Sequence, residues 1–165
     1  RILLFRFGEF RPSFFSSIES DINGSAISFR FKGGAPEESI LTYLYETPGR
    51  VNAVLVENSG LLFTDQDIEQ AGLAHENGSS VVRLRLAPTA GERVLALTTR
   101  NVGRTARLTM DGRALLEATI TGALRDSFQI TSPEQDPQKA MALVVVLRSG
   151  ALPAAVSFSE PAHDI

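Results

Sequence analysis

The stretch RTARLTMDGRALLEATIT, residues 104–121, decides the fold. Two runs rich in apolar and β-branched residues, 104–110 and 113–121, flank Asp111-Gly112. A two-residue hairpin turn needs positive φ at both central positions, which Asp and Gly tolerate, so an antiparallel hairpin is predicted here. Upstream, residues 88–101 predict a helix carrying Val94, Leu95 and Leu97, with Gly103 just beyond its end. Downstream, Phe128 and Ile130 predict another strand.

Beyond that strand, Ser132-Pro133-x-Gln135 has the pattern of a helix start: an N-cap, Pro at the first position and Gln to close a capping box. Ala140, Leu143, Val144 and Leu147 then recur at helical spacing, and Gly150 follows as a stop. Val144-Val145-Val146 alone would read as strand, but the caps at both ends favour helix. Val156-Ser157-Phe158 predicts a final strand.

Upstream of the hairpin, Val81–Leu86 alternates, with Arg83 and Arg85 on one side. Asn77-Gly78 predicts a turn. Thr64 with Asp67 is a capping-box pattern, so a short helix carrying Ile68 and Ala71 is expected from Asp65. Val51–Val56 reads as a strand, after a helix that Pro48-Gly49 ends. Pro36, Glu37 and Glu38 suit a helix first turn, with Ile40, Leu41 and Leu44 as its buried stripe. Ile27, Phe29 and Phe31 alternate with Ser28, Arg30 and Lys32 as a half-buried strand. Before it, Pro12 predicts a helix carrying Phe14, Phe15, Ile18 and Ile22 and ending at Asn23-Gly24, and residues 2–7 read as a strand. The opening order is thus expected to be β-α-β-α-β. The implied fold class is α+β: a ferredoxin-like base from residues 1–57 and 133–165, with a smaller α+β head lobe, 58–132, inserted into it.

A chain of 165 residues fits one domain or two small subdomains, and 43% apolar content supports an ordinary core. The longest apolar run, Ala140–Leu147, is far short of the roughly 20 residues of a membrane-spanning helix. Net charge is −3, which gives no electrostatic basis for nucleic-acid binding. Residues 64–132 are neutral but carry eight arginines, at 83, 85, 93, 100, 104, 107, 113 and 125, the pattern of a solvated sheet face. There is no Cys, so neither a disulfide nor a thiolate-held metal is expected. The chain begins at Arg1 and is expected to be a piece of a longer or processed protein; Ile2–Phe5 is too short for a signal-peptide core.

No group of residues assembles into a reacting site. His75 and His163 lie far apart in sequence, in an expected loop and near the end of the chain, and make neither a triad nor a metal cage. Asp65 and Asp67, two apart at a helix start, do not face each other, and favourable charge at a helix N-terminus explains both. Ser16-Ser17 and Ser79-Ser80 have no neighbouring base to activate a hydroxyl. Gly33-Gly34-Ala35-Pro36 lacks the Lys and the glycine spacing of a phosphate-binding loop, and Glu37 and Glu38 would repel phosphate. Tyr43 and Tyr45 bracket Leu44 and read as core-rim residues with their hydroxyls in water. Catalytic, metal and cofactor sites are therefore all expected to be absent.

The order of turn and cap residues carries more information. Thr98, Asn101 and Gly103 form a T-x-x-N-x-G phrase; Asp111-Gly112, Gln129-Ile130-Thr131 and Gly150-Ala151-Leu152-Pro153 follow. With Leu61–Ile68, Val82–Leu86 and Ala90–Arg93, this succession over residues 60–158 resembles the large extracytoplasmic loop of the SecD/SecDF family of protein-export subunits. The family usually has Ala-Pro after the hairpin, where this chain has Glu117–Ile120. Thr98, Asn101, Gly103, Asp111, Gly112, Gly150, Leu152 and Pro153 are the signature positions, and their roles are structural.

The resemblance implies a non-enzymatic domain on the outer face of the cytoplasmic membrane. It would contact unfolded preprotein in transit and work beside the membrane subunits of the Sec translocase, with no cofactor. The alternative is a stand-alone exported binding or assembly module reusing the same head fold. Either role calls for an apolar groove or an open strand edge.

Overall fold

The computed structural model describes residues 2–9, 17–23, 26–32, 37–131, 136–154 and 156. The segment Ile2–Glu9 is a helix (α1), not a strand. A short apolar run does not separate the two by period; here Leu3 and Phe7, four apart, turn toward the core while Phe5 and Glu9 are exposed. A hairpin follows, β1 (Ser17–Asn23) and β2 (Ala26–Lys32), paired from Ser17 opposite Lys32 to Asn23 opposite Ala26. The expected helix carrying Ile18 and Ile22 is therefore strand, since residues four apart share a face in either structure. Pro12, Phe14 and Phe15 lie outside the described residues, as does the Gly33–Pro36 turn.

Helix α2 (Glu38–Glu46) buries Ile40 and Leu44 as its stripe predicts. The opening order is thus α-β-β-α-β. Strands β3 (Val51–Leu55) and β4 (Leu61–Thr64) lead into a single 3-10 turn, Asp65–Asp67. Its capping box is present, but no longer helix follows. The chain continues as β5 (Ile68–Glu76), paired with β6 (Ser79–Leu86) across the Asn77-Gly78 turn. Ile68 and Ala71, expected on a helix face, are strand residues, with Ala71 opposite Leu84. Helix α3 (Pro88–Arg100) and strands β7 (Thr105–Met110), β8 (Arg113–Thr119) and β9 (Ser127–Thr131) follow the expected order.

Helix α4 (Pro137–Ser149) starts later than expected: Asp136 is its N-cap, accepting from the Gln138 amide, with Pro137 at the first position. The Ser132–Gln135 box lies outside the described residues. The three valines are helical because α4 is buried along its length, from Ala142 to Leu147. Val156 belongs to no element, and the rest of the expected final strand is outside the described residues.

Two antiparallel sheets share one core. The first has the order β4-β3-β7-β8 and the second β5-β6-β9. Val51, Ala53, Leu55, Phe63 and Leu108 of the first pack with Val82, Leu84, Leu86 and Ile130 of the second, and Phe63 lies 5.4 Å from Phe128, centroid to centroid. Helix α3 adds Ala90 and Val94. Helix α4 packs on β5 and on α1 and α2, so the two ends of the described chain meet as helices. Strand β3, placed by the sequence on the base side of residue 57, is instead an inner strand between β4 and β7 of the 58–132 segment.

Candidate functional site

A mainly apolar cleft lies where the two sheets end. Strands β8 and β9 are terminal strands of their sheets among the described residues. Between them is a cleft of about 100 Å³ whose walls are Leu116, Ala118 and Ile120 on one side and Leu124, Phe128 and Ile130 on the other, with Phe63 and Leu108 among the floor residues. Leu116 is 36% exposed and Leu124 37%, so apolar surface faces solvent at the rim. Terminal strands carry unpaired backbone N–H and C=O groups on their outer sides. The cleft therefore places apolar side chains beside two strand edges, although the Ile120 amide and carbonyl are already bonded to Arg104 O and the Gly103 amide.

The β8 edge is not uniform. Leu108 stands opposite Leu116 while Thr109 stands opposite Ala114, so Leu115 is an extra, bulged residue. Arg107 and Glu117 pair across the hairpin at 3.0 Å, and the carboxylate holds the guanidinium pKa above its ordinary value. A second, broader basin of about 550 Å³ lies on the face of β5-β6-β9 that carries Gln70, Arg83, Arg85 and Gln129. Its arginines are paired, Arg83 with Glu76 and Arg85 with Glu69, which leaves little net charge to attract a ligand.

The signature residues gather into two structural knots. In the first, the Thr98 hydroxyl donates to Val94 O and accepts from the Leu124 amide, Asn101 Nδ2 caps α3 by donating to Leu97 O at 2.7 Å, and the Gly103 amide (φ +86°) donates to Ile120 O at 2.8 Å. This knot shapes the 120–124 segment that closes one end of the cleft. In the second, Asp111 and Gly112 adopt φ of +51° and +79°, as the hairpin turn requires. The Asp111 carboxylate accepts from the amides of Gly49 and Arg50 at 3.0 and 2.9 Å. Gly150 ends α4 at φ +73°, the Leu152 amide donates to Pro48 O at 2.7 Å, and Pro153 is exposed.

The other singled-out residues are not brought together. His75 is an exposed strand residue of β5, opposite Ser80, rather than part of a loop, and His163 lies outside the described residues. Asp67 accepts from the Thr64 amide at 2.9 Å and pairs with Arg93 at 2.6 Å; Asp65 accepts from the Val51 amide at 3.3 Å. Tyr43 and Tyr45 are half-buried against the core. No group of three or more potential metal ligands exists among the described residues. Nor is any helix among them long and apolar enough to cross a membrane. Sequence reasoning missed the cleft, because its lining comes from two strands that are not hydrogen-bonded to each other and from the 120–124 connection between them.

These features describe an α+β domain of two facing sheets whose recurrent residues set turns and caps and whose open apolar surface lies at paired strand edges. The family model for the SecDF P1 head subdomain matches residues 40–154, and the chain belongs to that family. The matched span crosses both boundaries expected from the sequence, at 57/58 and 132/133. The chain is 32% identical to the protein translocase subunit SecD of Koribacter versatilis over 114 residues, 68% of this chain and 21% of that protein. It is 29% identical to SecDF of Brucella abortus over 129 residues, 78% of this chain and 17% of that protein. It thus spans about a fifth of the length of the curated relatives it matches. The fold is that of a solved SecDF chain described as a membrane component that enhances protein export, with a TM-score of 0.73 at 17% identity over 97% of this chain and 90% of that one. SecDF in a super-membrane-facing form gives a TM-score of 0.76 at 17% identity over 96% of this chain and 26% of that one.

Proposed function

We propose that this chain is an extracytoplasmic part of a SecD-type protein-export subunit and that the β8–β9 cleft holds unfolded preprotein in transit. Family membership supports the export role. The observation that carries the binding role is the cleft itself, an apolar slot bordered by two terminal strands. An extended guest segment could lay alternate apolar side chains between Leu116 and Phe128 while its backbone bonds to a strand edge. Such a mode reads backbone and apolarity rather than a sequence, which suits a partner of varied composition.

The action is binding and positioning, without covalent chemistry. The membrane subunits of the Sec translocase are the partners this role requires. Within this reading the division into a mount (1–57 with 133–165) and a lobe (58–132) is retained with one adjustment: Val51–Leu55 goes with the lobe whose sheet it joins. The ferredoxin-like form of the mount remains part of the proposal.

Photocrosslinking tests the assignment. A photoreactive residue at Leu116 or Phe128 should capture an arrested preprotein, whereas one at the exposed α3 position Glu92 should not. Equal capture at all three positions, or capture only at Glu92, would overturn it.

A further inference from the structure

The side chain of Arg6 is fully buried. A guanidinium has five N–H donors, and all are used here. Nε donates to Ser149 Oγ at 2.8 Å, Nη1 to Leu44 O at 3.0 Å and Thr47 O at 2.6 Å, and Nη2 to Pro48 O at 3.2 Å and Gly150 O at 3.1 Å. Every acceptor is neutral. They lie at the C-terminal ends of α2 and α4, where unsatisfied carbonyls and the negative ends of the helix dipoles favour a cation. One side chain from α1 therefore caps two other helices.

The opposite side of the same loop is held as well. Asp111, at the tip of the β7–β8 hairpin, takes the amides of Gly49 and Arg50 on its carboxylate and donates its own amide to Arg50 O. The loop from Thr47 to Arg50 is thus gripped by a cation through its carbonyls and by an anion through its amides. There is no slack: a Cβ on Gly49 would lie 2.8 Å from Val146 Cγ1 and 2.9 Å from Arg6 Nη2.

We propose that the docking of α1 through Arg6 and the seating of the β7–β8 hairpin tip through Asp111 are one cooperative event transmitted by the Thr47–Arg50 loop, so that the two open together. Desolvation of the buried guanidinium opposes the hydrogen bonds it gains, while Phe7 and Leu3 of α1 add apolar packing to the docked form. The same desolvation lowers the Arg6 pKa to about 10, partly countered by Asp111 and Tyr43. The guanidinium stays charged at neutral pH and is readily taken up by water once released. The outer contacts of α1, Glu9 with Arg148 at 3.0 Å and Arg148 over the Phe5 ring at 5.7 Å, are exposed and add little hold. The two states are α1 docked with a rigid 47–50 loop and α1 free with a loosened one.

Hydrogen–deuterium exchange of the full chain tests this without any substitution. In increasing sub-denaturing urea, the segments containing Arg6–Glu9, Gly49-Arg50 and Leu152 should open together, before the β3 and β7 amides. Opening of Gly49-Arg50 only with β3 and β7 would overturn the proposal. Substitutions then test reciprocity. R6M should speed exchange at Gly49-Arg50 at least tenfold, though neither amide bonds to Arg6. D111N, which keeps the turn, should speed exchange in α1 in return. Acceleration confined to each variant's direct neighbours would also overturn it.

Discussion

The hydroxyl of Thr98 accepts a hydrogen bond from the Leu124 amide at 2.9 Å while donating to Val94 O at 2.8 Å. A single buried oxygen therefore bolts the segment after β8 to helix α3. Thr98→Val keeps the shape and removes the oxygen, leaving the Leu124 amide without this acceptor. The expected loss is about 1–3 kcal/mol by urea unfolding. Thr99→Val, at an exposed neighbour whose hydroxyl bonds only within the helix at 2.7 Å, should change stability by less than about 0.5 kcal/mol.

Two glycines separate strain from crowding. Gly49 (φ +82°) has Val146 and Arg6 where a Cβ would go, whereas Gly150 (φ +73°) has nothing within 4 Å. Gly150→Ala meets backbone strain alone, about 1–3 kcal/mol, because φ +73° with ψ 177° is a region kept to glycine. Gly49→Ala adds overlap in a packed site and should cost about 2–5 kcal/mol in total. Thermal or urea unfolding of the pair measures the difference; equal losses would show that the 47–50 loop yields more readily than its packing indicates.

Leu116 gives the cleft a substitution that function should feel more than stability. It is 36% exposed, so Leu116→Gln should leave the unfolding free energy within about 1 kcal/mol. Binding of an unfolded apolar peptide, read by fluorescence anisotropy, should weaken about tenfold. Unchanged affinity would remove β8 from the binding surface.

The Glu57 carboxylate accepts from the Thr105 amide at 2.9 Å, and this bond, with its own amide and nearby Arg104, holds its pKa below the ordinary 4.5. A depressed carboxylate contributes stability above its unfolded pKa and loses it as pH falls through the folded pKa. The Thr105 amide proton shift should therefore titrate with a midpoint under 4.5, and Glu57→Gln should abolish that step. A midpoint at or above 4.5 would contradict the bond's preference for the ionised form.

Much of the fold was legible where the signal is local. Asp111-Gly112 needs positive φ at both positions, α3 carries a periodic stripe, and α4 is a long apolar run closed by Gly150. The misreadings share a cause. Ile18 with Ile22, and Ile68 with Ala71, satisfy helical spacing, yet cross-strand partners decided both segments. Strand β3 was recognised, but its place between β4 and β7 depends on pairing 57 residues away, as in Asn52 with Thr109. The Arg6 cluster was not legible at all: its acceptors lie 38 to 144 residues along the chain, and nothing near Arg6 in sequence marks it for burial. Of the cleft, the strands were foreseen and their juxtaposition was not.

The bulge at Leu115 has a consequence for crowded surroundings. A regular, flat rim beside an apolar slot invites a second copy of the same rim, and sticking of that kind is hard to reverse. An unpaired residue in the middle of β8 bends the strand and breaks the repeat that a like-for-like partner would have to match. A like-for-like copy would have to reproduce that kink in register, so the irregularity works against edge-to-edge self-association.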